Sequence, residues 1–516
     1  MFSQLKFHSL LVGILLAVSG MQAQKNASRP ILPGEVSKHV YTLASDGLLG
    51  RKTAGSGIDS AAWYISTQFK CYGLQTVNGS YFQEIGLVQA SLGDTNEFSV
   101  ITPDDTLVLK IKTDFVPFEI SGNMPAHAPV VFAGYGITAP EYGYNDYSTI
   151  DAQDKIVLIL HHEPGECDSN SVFNGARNTK HSLVKSKVDN AIAHGAVGVI
   201  IVTDPLNHKL LNPVGFPWPN LSKIIPDDAL PIKLSGGLVY DIPVIHAGKS
   251  VINLFFGGTD SLLALQKSID NTLAPASFAF GNLQAKIKTT TLRVPLPARN
   301  VVGFLPGKNP KMKNELIVVG AHYDHLGYIK NSSDIDSVFN GADDNASGTA
   351  AMLSIARAFS ENRKKPSRSV LFIAFTAEEL GLYGSQWYVN NPLFPLENTV
   401  AMLNFDMVGR NHPDSLFLVG ASESPDITAL IRKLNKKNKH GLILTDGKFS
   451  GGSDHAPFYN KNIPFMFFFS GLHADYHTTA DNPALVDFEK VARVAALGHS
   501  TAWFIANDKK KYSLNK

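Results

Sequence analysis

Two cysteines in 516 residues are too few to build a protein around. Cys71 and Cys167 follow no framework spacing, and two thiols cannot make a thiolate zinc site. They read either as a pair formed in an oxidising compartment or as free buried thiols, and no chemistry is assigned to them. An excess of one charge is equally missing. The 46 basic and 45 acidic side chains leave a formal net charge of +1, so nothing favours nucleic acid or an anionic membrane as a partner. The apolar run at residues 10–18 is well short of the roughly 20 residues that a bilayer span needs. Preceded by Lys6 and His8 and followed by small or polar residues up to Ala23, it is expected to be a secretory signal peptide over residues 1–24. The mature chain is then exported, to the periplasm or outside the cell, and free of the membrane. What is present in quantity is core material: 44% hydrophobic residues against 18% charged ones is enough for two to three domains.

The stretch at residues 318–348 organises the rest. An apolar run at 316–319 reads as a buried strand leading into Gly320-Ala321-His322-Tyr323-Asp324. Two metal-competent side chains thus sit at a strand's C-terminal end, where open α/β sheets place their chemistry. Residues 341–345, Gly-Ala-Asp-Asp-Asn, lead into a small and apolar segment that reads as a helix with acids at its start. Three more apolar runs follow. The run at 369–375 leads to Glu378 and Glu379, that at 400–405 delivers Asp406, and that at 463–469 precedes Tyr476 and His477. A His-x-Asp pair alone is an ordinary hydrogen-bonded pair; four strand ends that each carry a ligand type are a different matter.

Residues 33–125 offer a helix at 61–69 and strand-like runs at 82–88 and 106–111 without any ligand cluster, and are assigned to the same domain as the later strands. Between 126 and 295 the chain changes character. Runs at 128–137, 154–160, 195–202 and 242–246 read as strands, 185–194 reads as a helix, and a weakly patterned tail follows. This is a self-sufficient α/β unit lodged between residues 25–125 and 296–516, which share one core. Within it, His161-His162-Glu163-Pro164-Gly165-Glu166 is not read as a helical His-Glu zinc motif, because no histidine follows His162 at i+4 and Pro164 disrupts the helix such a motif needs.

The motifs AHYDH, GADDNASG, FTAEELGLYGS, NFDMVGR and DYHTTAD occur in that order, and the block from His322 to His477 that holds them resembles the M28 family of co-catalytic zinc metallopeptidases. The region 126–295 resembles a protease-associated (PA) domain. The resemblance implies an α/β zinc-exopeptidase fold, a mixed central sheet flanked by helices, with a smaller α/β PA domain inserted. It further implies two zinc ions per chain, one on His322 and Asp406, the other on Glu379 and His477, with Asp344 bridging them and Asp343 as the alternative bridge. Two cations held about 3.5–4 Å apart polarise a scissile carbonyl and hold a hydroxide between them at neutral pH. Glu378, beside Glu379, is then free to serve as general base and acid. Asp324 is expected to accept the other ring N–H of His322 and so fix its orientation. Tyr476 resembles the family's oxyanion-stabilising tyrosine, its other reading being a packing residue.

The remaining candidates have plainer readings. His325, His412 and His473 are structural or pocket residues, and Arg410 is an ion pair within the acidic cluster. Ser453-Asp454-His455, which lacks a Gly-x-Ser-x-Gly elbow, is a loop shaping the substrate pocket. The expected activity is removal of residues from the free N-terminus of a peptide or protein substrate, with residues 465–469 and Leu472 forming an apolar pocket. A carboxypeptidase, a single-zinc glutaminyl cyclase and a non-catalytic binding protein on the same scaffold are the alternatives.

Overall fold

A computed structural model describes residues 29–213, 232–329 and 337–515; the expected leader lies outside them. The chain divides into two compact units, one made of the segments up to Leu87 and from Leu296 onward, the other of Val88–Pro295. No helix among the described residues is long and apolar enough to cross a membrane.

In the first unit, long apolar runs give strands that are covered on both faces. Ser369–Phe375, Leu316–His322, Thr399–Phe405 and Phe465–Phe469 lie side by side in that order, all parallel. Thr291–Leu305 adds antiparallel to Ser369–Phe375, and Ser415–Val419 antiparallel to Phe465–Phe469, so the sheet is mixed. Successive side chains point to opposite faces. Ile317, Val319 and Ala321 join a core shared with the helices Pro33–Leu43, Ser56–Cys71, Gly348–Glu361 and Phe488–Asn507, while Leu316 and Val318 join a second core with Tyr388 and Phe458. Gly348–Glu361 is buried over nearly its whole length, which its glycine, alanine and serine residues permit. The acids expected at the start of this helix precede it instead, in a tight turn over Ala342–Ser347 where Asp344 and Asn345 leave helical geometry.

The second unit has an eight-stranded sheet. Pro125–Phe132, Ile156–Leu160, Gly198–Val202 and Val244–Ala247 form its parallel centre. Residues 88–125, expected to side with the flanking segments, supply strands here: Glu97–Ile101 pairs with Phe278–Lys288 and Phe115–Pro117 with Val244–Ala247. The weakly patterned tail resolves into the helices Lys249–Phe256 and Thr259–Thr272 and two long strands, Phe278–Lys288 and Thr291–Leu305. Pro295 and Pro297 interrupt the apolar alternation of the last strand and hide it from a pattern reading. Cys71 and Cys167 are unpaired, and exposed rather than buried.

Candidate active site

The four parallel strands end at one sheet edge, and the polar residues that follow them converge there. His322 Nε2 lies 3.3 Å from Asp344 Oδ1 and 3.3 Å from Asp406 Oδ1. His477 Nε2 lies 3.1 Å from Asp344 Oδ2 and 3.1 Å from Glu379 Oε2. The two oxygens of Asp344 thus face two different donor sets. Cations with arms of about 2.0–2.2 Å space tetrahedral ligands roughly 3.3–3.6 Å apart, close to these separations. Asp406 Oδ1 and His477 Nε2 are buried without a hydrogen-bond partner, an arrangement that a shared cation would satisfy. The donors are nitrogen and oxygen without sulfur, a set that suits zinc. Asp343 turns elsewhere: its Oδ1 accepts the Gly409 N–H at 2.7 Å, and its Oδ2 lies 3.5 Å from His473 Nε2.

Charge balance tells the same story. Burial works to lower the pKa of His322, yet Asp406, Glu378, Asp324 and Asp344 together lift it well above its ordinary value. Burial works against ionisation of Asp344, but hydrogen bonds to His322 and His477 hold it well below the usual carboxylate range. His477 is raised to about 10, since Asp344 and Glu379 outweigh its partial burial. The cluster therefore gathers positive charge onto its imidazoles.

Further contacts hold the turns in place. Asp481 accepts the main-chain N–H of Asp343 on both oxygens and that of Asp344 at 3.0 Å. Asp324 does the same for the other acidic turn, accepting from Glu378 N at 3.1 Å and Glu379 N at 3.3 Å, with the Thr53 hydroxyl at 3.1 Å. With its carboxylate so engaged, Asp324 stands 3.7 Å from His322 Nδ1, and the nearer acceptor is its own main-chain oxygen at 3.3 Å. The expected side-chain contact is thus the longer of the two, and the carboxylate still acts on the His322 ring as one of the groups that raise its pKa. Arg51, buried, donates to the main-chain oxygens of Leu43, Tyr323, Asn340 and Gly341 and so ties the segment after His322 to the one before Asp344. His325 Nδ1 lies 2.6 Å from Glu379 Oε1, which leaves Oε2 turned to His477. Its place in the AHYDH motif is the one signal that marked it; Arg51 had none, because its partners are distant main-chain oxygens.

Residues 300–502 match the model of Peptidase family M28, and residues 126–249 that of the PA domain. Over residues 300–502 the chain is similar to peptidase family M28. Leupeptin-inactivating enzyme 1 of Streptomyces exfoliatus is 36% identical over 219 residues, which cover 40% of this chain and 44% of that protein. Aminopeptidase YwaD of Bacillus subtilis is 29% identical over 392 residues, covering 73% and 69% respectively. The chain thus spans less than half of the first relative. The solved aminopeptidase from Aneurinibacillus sp. strain AM-1 aligns with a TM-score of 0.52 at 23% identity over 93% of this chain and 95% of its own, a likeness of fold.

The cluster opens into a cavity of about 200 Å³. His322, Asp344, Glu378 and Asp406 line its polar side, and Met407, Phe467, Phe469, Leu472 and the Tyr476 ring its apolar side, with Ser450 and Gly452 at the rim. Of the expected apolar run, Met466 and Phe468 point away into the helix-covered core, as alternation requires. Tyr476 stacks on His477 with ring centroids 3.7 Å apart, and burial and the nearby carboxylates keep its phenol protonated. Ser453 donates to Asp406 Oδ2 at 2.8 Å, whereas His455 lies between Phe465 and Phe467 and meets the Ser450 oxygen, so these neighbours form no triad. Arg410 pairs with Asp475 at 2.5 Å. His412 sits outside the cluster, its Nδ1 accepting from Asp414 N.

Proposed function

We propose that this protein is an M28-type dizinc aminopeptidase that trims apolar residues from free N-termini. The observation that carries the reading is the two-faced placement of Asp344, one oxygen toward His322 and Asp406, the other toward His477 and Glu379. On it, His322 and Asp406 would hold one zinc ion and Glu379 and His477 another, with Asp344 offering an oxygen to each. When bound, the two ions polarise the scissile carbonyl and lower the pKa of an attacking water.

The side chains do the rest. Glu378 lines the cavity, and burial together with Asp406, Asp454 and Glu379 pushes its pKa well above the usual value, against the pull of His322. A carboxylate with such proton affinity is suited to accept the proton of the attacking water and pass it to the leaving amine. The Tyr476 hydroxyl, kept protonated, is available to donate to the developing oxyanion. Among the described residues no arginine or lysine lines the cavity, and Arg410 is spent on Asp475, so a terminal carboxylate has no guanidinium to meet. Carboxylate oxygens are available instead for an α-ammonium group. Phe467, Phe469 and Leu472 favour a bulky apolar first residue.

The test compares a leucyl chromogenic amide with its N-acetylated form and with an N-blocked dipeptide bearing a free carboxyl end. Rapid hydrolysis of the first alone is expected. Comparable hydrolysis of the acetylated amide, or cleavage of the blocked dipeptide only, would overturn the aminopeptidase reading. Export rests on the apolar stretch at 10–18 and is checked by fractionating cells and sequencing the mature N-terminus, which is expected near residue 25.

A further inference from the structure

The second unit repeats, on its own sheet, the arrangement that builds the peptidase cluster. Ile156–Leu160 and Gly198–Val202 are adjacent parallel strands in a register that sets Leu160 against Val202. Each strand is followed, at matching offsets, by two metal-competent side chains spaced i and i+4: His162 and Glu166 after the first, Asp204 and His208 after the second. All four meet. His162 Nδ1 lies 2.6 Å from Asp204 Oδ1 and 3.6 Å from Glu166 Oε2, while His208 Nε2 lies 2.7 Å from Glu166 Oε2 and 3.7 Å from Asp204 Oδ2. Two separate ion pairs would need each carboxylate to serve one imidazole. Here each reaches both, and the four distances bracket the roughly 3.3 Å edge of a tetrahedron with arms of about 2.0–2.1 Å.

The scaffold around the cluster is built without any call on the imidazole rings. The main-chain N–H of His162 meets Asp204 Oδ1 at 3.3 Å, and Gln266 reaches Asp204 Oδ2 at 3.5 Å while its own Oε1 accepts from Leu206 N. Asn207 donates to the Glu166 main-chain oxygen, tying the two loops to each other. Asp204 is fully buried, and His208 keeps 33% of its side chain exposed, a route by which an ion enters.

We infer that His162, Glu166, Asp204 and His208 form a zinc-class divalent cation site that clamps the two loops of the inserted unit. Two imidazoles and two carboxylates without thiolate are a zinc donor set. The role is structural rather than hydrolytic. Glu163, the residue placed where a helical zinc motif would carry its base, spends both oxygens on the main-chain N–H and hydroxyl of Thr179. This site is independent of the dizinc reading.

The test uses the full chain, saturated with zinc by equilibrium dialysis, and reads bound metal and the zinc-dependent rise in melting temperature. His208→Ala and Glu166→Gln are each expected to hold one equivalent less than the wild type, to lose that part of the melting shift which the inserted unit contributes, and to hydrolyse a leucyl amide at the wild-type rate. Asp344→Ala, in contrast, is expected to keep the equivalent that these variants lose. The loop position of His208 and the near-isosteric change at Glu166 provide two routes to a folded variant. Equal zinc content and equal melting shifts in the wild type and the folded variants would overturn the site.

Discussion

Glu378 and Glu379 are chain neighbours with opposite surroundings. Glu379 faces the imidazoles of His325 and His477, which hold it below its ordinary range against burial and against Asp344. Glu378 faces burial and other carboxylates and is pushed up. On the proposed dizinc reading, two carboxyl groups driven apart in this way would divide into a ligand and a proton carrier. Glu378→Gln is therefore expected to keep its full metal content and its melting temperature while kcat falls roughly 10²–10⁴-fold. Metal loss in that variant, with normal metal in Glu379→Ala, would mean that the two roles are exchanged. Asp344→Ala is expected to lose both ions of the pair, because their mutual repulsion is no longer offset, whereas Asp343→Ala keeps them. Metal analysis of the two variants decides which aspartate bridges. The preference for Asp344 came from the family resemblance, and the work of Asp343 was not legible in the sequence, since its partner Gly409 N belongs to another loop.

At the level of elements, the site depends on two acidic turns, each capped by a buried carboxylate from elsewhere in the chain. Asp481 caps the turn of Asp344, and Asp324 caps that of Glu378 and Glu379. Gly341, at φ +55, begins the first turn, and a Cβ there would stand 2.2 Å from the Asp344 main-chain oxygen and 2.5 Å from the His325 ring. Supporting contacts of this kind are worth 10–100-fold in metal affinity. Asp481→Asn is expected to weaken zinc binding by about that factor, measured against a competing chelator, with circular dichroism unchanged. Wild-type affinity in this variant would mean that the cap is dispensable. The four parallel strands were legible because each is a largely apolar run with polar residues soon after it. The caps were not, because a carboxylate bound to main-chain N–H groups leaves no mark on the spacing of side chains. The strand Thr291–Leu305 was missed for another reason: its prolines read as a connection.

For the whole molecule, the unit Val88–Pro295 is the natural cut, rather than the expected 126–295. A fragment starting at 126 lacks Glu97–Ile101 and Phe115–Pro117 and leaves Phe278–Lys288 and Val244–Ala247 with bare edges, which invite aggregation. The fragment 88–295 is expected to be soluble and to unfold cooperatively, and the fragment 126–295 is not; gel filtration and thermal melts separate the two, and equal behaviour would return the boundary to Pro125. Acid stability belongs to this scale as well. In the first unit His39 is buried between the hydroxyls of Tyr64, 2.7 Å from Nδ1, and Tyr72, 3.2 Å from Nε2. Burial, helped by Lys38 and Arg357, lowers its pKa from 6.5 to about 4, and burial lowers those of His455 and His499 to about 4 too. Between these values the unfolded chain binds a proton that the folded chain refuses, so stability rises with pH across the interval. The contribution of His39 is fully present above about pH 6.5 and lost as pH falls toward 4, a change of ~3 kcal/mol for a shift of this size. His39→Gln cannot take up that proton in either state. Its melting temperature is therefore expected to lie below the wild type at pH 7 and to close the gap by pH 4.5, with the zinc concentration held equal so that metal linkage is common to both proteins. A gap that stays constant across that range would show that His39 is not what couples the fold to acid.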